Sequence, residues 1–129
     1  MIGVVNYFRK EKVMKVIVKR PGLDYEICEL ESISKINELV GNVDENGNAY
    51  NHGGSDIREA IVKNIDMYMN ESALFNNKLK PNLWNQSDSA LICGTVVFAG
   101  HDKDNHAKAC SLTQEQIDYC KEYIAAKVN

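Results

Sequence analysis

A chain of 129 residues, 44% hydrophobic and 26% charged, has the size and balance of one soluble globular domain with a single core. Its net charge of −3 supplies no general basic field, which argues against wholesale binding to nucleic acid or to an anionic membrane. The longest apolar run, residues 90–100, is too short to span a bilayer.

Residues 1–13 read as an N-terminal extension and residues 14–129 as a single α+β domain. A second methionine opens Met14-Lys15-Val16-Ile17-Val18-Lys19-Arg20-Pro21-Gly22, which reads as an alternative translation start. Within the extension, Val4, Val5, Tyr7 and Phe8 are apolar enough for an added edge strand or an oligomer contact. The first ten residues lack the charged leader, long apolar centre and small-residue cleavage site of a secretory signal, so a cytoplasmic location in a bacterial host cell is expected. Cys28, Cys93, Cys110 and Cys120 show no C-x-x-C spacing, and the pattern suits reduced thiols better than a disulfide framework or a zinc site.

Val13 to Lys19 alternates apolar and polar side chains, meets the turn pair Pro21-Gly22, and alternates again from Tyr25 to Leu30, which predicts a β-hairpin. Ser32 or Ser34 caps a short helix through Val40, with Ile33, Ile36, Leu39 and Val40 at helical spacing and Gly41 at the left-handed C-terminal position. Residues 42–55 form a loop in which Asn46-Gly47 suits a tight primed turn. Asp44-Glu45-Asn46-Gly47-Asn48 lacks the acidic spacing and closing glutamate of a calcium loop. Residues 57–62 fit helix and strand equally. Ile65, Met67 and Met69 share one face of a strand, and Asp66, Tyr68 and Asn70 share the other.

The run Ala90 to Gly100, β-branched at its centre, predicts a strand buried on both faces, around which the rest of the chain is organised. Near the C-terminus, Thr113 and Gln116 stand at the spacing of a capping box, with Leu112 and Ile117 at the staple positions. A helix from about Gln114 to Val128 follows, its apolar face formed by Ile117, Cys120, Ile124 and Val128 with Tyr123 beside it.

Three groups of residues carry possible chemistry. His101, Asp102, Asp104 and His106 place two imidazoles and two carboxylates within six residues, a composition able to bind a transition metal, but a polar surface loop uses the same residue types. The latter reading is preferred, and no metal or cofactor is expected. Cys93 beside Gly94 reads as a packed core thiol rather than a nucleophile. The amide-rich connection before the central run offers Asn and Gln donors and acceptors, flat rings at Tyr68 and Trp84, and cations at Arg58, Lys78 and Lys80. With Asn70 these six residues are the candidate binding site for a nucleotide-type ligand, although on pattern alone an ordinary surface loop with Trp84 plugged into the core is the preferred reading. No triad, carboxylate pair or phosphate loop marks a catalytic site, so no catalytic residue is assigned and no enzymatic activity is expected.

Met14-Lys15-Val16-Ile17-Val18 with Pro21-Gly22, Leu39-Val40-Gly41, Met69-Asn70-Glu71, Ile92-Cys93-Gly94-Thr95-Val96-Val97 and Ser111-Leu112-Thr113 follow one another in an order that resembles the domain-of-unknown-function 3846 family, small proteins of phages, plasmids and mobile elements. The resemblance covers the chain from about residue 14 and implies an accessory cytoplasmic role without supplying a mechanism.

The sequence therefore predicts an α+β domain, a mainly antiparallel sheet with one or two helices packed on one face. The expected function is non-catalytic: sequestration of a small nucleotide-type ligand as a counter-defence sponge, or inhibition of a host defence protein of the anti-CRISPR or anti-restriction kind. Exposed sheet edges and the apolar N-terminal segment favour a homodimer or higher homo-oligomer.

Overall fold

The alternating segments on either side of Pro21-Gly22 form the expected antiparallel hairpin in a computed structural model, which describes residues 13–50, 52–57, 62–73, 78–85 and 90–128. They are β1 (Met14–Lys19) and β2 (Glu26–Leu30), in a register that sets Val16 opposite Cys28 and Ile17 opposite Ile27. After them come α1 (Ile33–Val40), β3 (Ser55–Asp56), β4 (Ile65–Tyr68), β5 (Pro81–Asn85), β6 (Ala90–Cys93), β7 (Val96–His101), β8 (Ala109–Cys110) and α2 (Gln114–Lys127). The main sheet runs β2-β1-β7-β4-β3, with β8 paired to the end of β7, and every pair is antiparallel. The fold class is the α+β arrangement expected. Val4, Val5, Tyr7 and Phe8 lie outside the described residues.

The apolar run 90–100 is two strands rather than one. Gly94, at φ +87°, turns the chain between them, and a side chain there would lie 3.1 Å from Leu79 Cδ1. β6 leaves to pair with β5 in a separate hairpin, while β7 continues as the middle of the main sheet. Asn82 fixes the junction. Its buried amide donates at 2.8 Å to the carbonyls of both Lys19 and Gly94, and its Oδ1 accepts from Lys19 Nζ at 3.0 Å.

β7 is covered on both faces, as its composition requires. On one face Val96 and Phe98 pack with Ile17, Ile65 and Met67 beneath α2, joined by Leu83 and Ile92 of the hairpin. On the other, Val97 and Ala99 pack with Val16, Val18 and Tyr68 beneath Ile36 and Val40 of α1. The two helices thus close opposite faces of the sheet rather than packing on one face as expected, because β7 and its neighbours are apolar on both sides.

The helix ends follow their local chemistry. Ser32 Oγ accepts from the amide of Lys35, and Gly41, at φ +86°, returns its N–H to the carbonyls of Asn37 and Glu38. Leu39, expected on the apolar face, is partly exposed, and the buried position goes instead to Asn37, whose amide bonds Ile33 and Asn42. At α2 the capping box forms with both of its bonds, Thr113 Oγ1 from the amide of Gln116 and Gln116 Oε1 from the amide of Thr113. Leu112 and Ile117 are buried as staple partners, whereas Val128 is the C-cap and exposed.

In the loop after α1, Asn46-Gly47 does not form a primed pair. The amide of Gly47 bonds the carbonyl of Asp44, so Glu45-Asn46 is the centre of the turn, and only Gly47, at φ +83°, is left-handed. The Asp44 carboxylate accepts from the amides of Asn46 and Asn48, which uses it locally. Among the described residues no helix is long and apolar enough to cross a membrane.

Candidate metal centre

In the β4–β7 register Asp66 faces Ala99, whose methyl leaves room for the carboxylate, and His101 lies two residues further along the same face of β7. Its backbone is held there by a bond from the His101 amide to the carbonyl of Asn64. The chain then turns back. Asp102 Oδ1 accepts from the amides of Asp104 and Asn105, Asn105 Oδ1 from that of Ala107, and the Asp102 amide bonds Lys108. This turn lays His106 over His101, ring centroids 4.1 Å apart.

Both imidazoles reach one carboxylate oxygen. His101 Nδ1 lies 3.0 Å and His106 Nε2 3.1 Å from Asp66 Oδ1, and one ligand atom from each of the three residues lies within 4.8 Å of the other two. A tetrahedral ion with bonds of about 2.0–2.1 Å needs ligand atoms roughly 3.3 Å apart, so two of the three edges already fit within a few tenths of an ångström. Asp66 and His101 are buried, while His106 presents an exposed edge. Two imidazole nitrogens and a carboxylate oxygen suit zinc, cobalt, nickel or ferrous iron better than calcium or magnesium.

The centre opens on a cleft of about 740 Å³ lined by Asp66, His106, Tyr68, His52, Gly53, Gly54 and the start of α1. Gly54 is there because nothing larger fits: a Cβ would stand 2.8 Å from that of Asp66 and 2.9 Å from the ring of Tyr68. Burial and then the Asp66 charge push the Tyr68 phenol up to about 12, so at neutral pH it is a hydrogen-bond donor and not a phenolate ligand.

The candidate ligand-binding residues are distributed around the fold. Tyr68 lines this cleft. Asn70, Lys78 and Lys80 line another, of about 490 Å³, near Gly41 and Gly94. Asn70 also ends α1, donating to the carbonyls of Val40 and Gly41 and accepting from the amide of Ser72. Trp84 is 41% exposed on β5 rather than plugged into the core, and Arg58 lies outside the described residues. Cys120 is buried as expected, and Cys93 only in part.

Of the metal-capable loop, the two histidines enter the centre while Asp102 is spent on the turn. The residue missed is Asp66. Its signal in the sequence is a carboxylate alternating between apolar residues in a strand, a position that demands a partner, but nothing local names that partner.

Fold and site together define an α+β protein with a two-histidine, one-carboxylate centre at the end of its central strand. The chain belongs to the family described as Domain of unknown function (DUF3846), whose model matches residues 14–125. Comparisons with curated proteins and with solved structures find no match.

Proposed function

We propose that this chain is a divalent-metal-binding protein that holds a zinc-like ion on Asp66 Oδ1, His101 Nδ1 and His106 Nε2. One observation carries the reading: three atoms of the right donor types converge within 4.8 Å at the mouth of a cleft, brought from β4, β7 and a turned loop. A buried carboxylate is costly unless positive charge or hydrogen bonds compensate it, and an ion on this set would do so directly. Titration of metal-stripped protein with Zn²⁺ against a chromogenic chelator tests this: one equivalent is expected to be withheld from the chelator, and Asp66→Ala or His106→Ala is expected to abolish that equivalent. No difference between wild type and either variant contradicts it.

A second reading rests on the other cleft, whose lining includes the cations Lys78 and Lys80 that could counter a phosphate. There the chain would sequester a nucleotide-type ligand. Calorimetry with ATP as probe is expected to show binding that Lys78→Ala/Lys80→Ala removes; heats unaffected by the pair contradict it.

A further inference from the structure

Three protein ligands leave a fourth position on a tetrahedral ion, and its occupant separates a sealed centre from one that takes ligands from solution. We propose that the fourth position is open to the cleft and binds a small exchangeable anion, an inference that rests on the metal reading above and specifies what the centre does with its ion. Among the described residues no other His, Cys, Asp or Glu places a donor atom with the three. The sheet closes one side of the triangle they form, since Asp66 and His101 stand on β4 and β7 with side chains 2% and 8% exposed. The other side is the cleft, which Asp66 and His106 themselves line.

The carboxylate itself shows that this side is not sealed. Both imidazoles share Oδ1 of Asp66, and Oδ2 has no hydrogen bond. Every buried side-chain nitrogen or oxygen among the described residues has a partner, so Oδ2 is reached by solvent, and the cleft is the space that reaches it. An ion held on Oδ1 therefore has a solvent-reached atom beside it rather than packed protein. Charge then sets the class of ligand. A divalent ion on one carboxylate and two imidazole nitrogens keeps a net positive charge, which a monoanion cancels and a cation or an apolar group does not. The cleft, of about 740 Å³, has ample room for it. An open centre of this form polarises what it binds, which a centre with four protein ligands does not.

The test is azide titration of the full chain loaded with one equivalent of Co²⁺, followed by absorption spectroscopy, with gel filtration to count the cobalt retained. The wild type is expected to show a saturable change in the cobalt d–d bands and a new azide-to-cobalt charge-transfer band, at one azide per cobalt and with the cobalt still bound. His106→Ala, altered on an exposed ring and checked for unchanged circular dichroism, is expected to lose the charge-transfer band together with the cobalt. Bands that azide leaves unchanged while cobalt stays bound overturn the open position and leave the three-ligand centre standing. Azide that acts only by stripping the cobalt overturns it equally. Absence of cobalt binding by the wild type overturns both readings.

Discussion

Asp66 and His106 are 40 positions apart in the chain, yet Oδ1 of the one lies 3.1 Å from Nε2 of the other. The contact depends on the β4–β7 register to place the carboxylate and on the Asp102 turn to return the imidazole. The two residues differ sharply in burial, with side-chain exposures of 2% and 58%.

That difference separates stability from binding. In metal-free protein Asp66→Ala is expected to cost about 3 kcal/mol, because it breaks a buried polar pair and leaves His101 without its carboxylate. His106→Ala, on an exposed ring, is expected to stay within about 0.5 kcal/mol. Both should lose the metal. Urea unfolding of the two stripped variants, with the chelator titration alongside, checks all three expectations.

Gly54→Ala tests the approach of β3 to the cleft. The added methyl would sit 2.8 Å from the Asp66 Cβ and 2.9 Å from the Tyr68 ring, a clash worth roughly 1–3 kcal/mol. Gly53→Ala meets nothing within 4 Å and is expected to leave stability within about 0.5 kcal/mol. Equal urea midpoints for the two variants would contradict the packing described.

Much of this fold was legible from local pattern. The β1–β2 alternation, the Ser32 and Gly41 caps, and the Thr113–Gln116 box each form as the residue types dictate, because each depends on neighbours within a few positions. The run at 90–100 was readable as buried but not as broken. Its interruption at Gly94 is enforced by Asn82 and by Leu79, a dozen or more residues upstream. For the same reason the centre was half visible. His101 and His106 stood together in the sequence, while Asp66 joins them only through strand pairing.

The Asn82 junction makes a pH-dependent prediction through Lys19. Burial lowers the Lys19 ammonium below its ordinary 10.5, so the folded chain gives up this proton at a lower pH than the unfolded chain does. Between those two values the unfolded state binds more protons, and the contribution of this group to stability rises with pH up to about 10.5. Lys19→Met is expected to remove that slope, as read from urea midpoints across the alkaline range. Asn82→Ala, which takes a donor from two carbonyls and leaves the Lys19 ammonium with only the Arg20 carbonyl, is expected to cost about 3 kcal/mol at neutral pH.

Thiol labelling checks the face covered by α2. Burial pushes Cys120 up to about 12 and removes it from solvent, whereas Cys28, Cys93 and Cys110 are partly exposed. Iodoacetamide at about pH 8 is expected to modify those three in the native protein, and all four in denaturant, as counted by intact mass. Native modification of Cys120 would mean that α2 does not cover the sheet as described.

The most direct measurement is anomalous diffraction at the zinc edge from crystals grown with Zn²⁺. A peak about 2.0–2.1 Å from Asp66 Oδ1, His101 Nδ1 and His106 Nε2 is the predicted result. Zinc found elsewhere on the chain, or no peak at these three atoms, would contradict the metal centre.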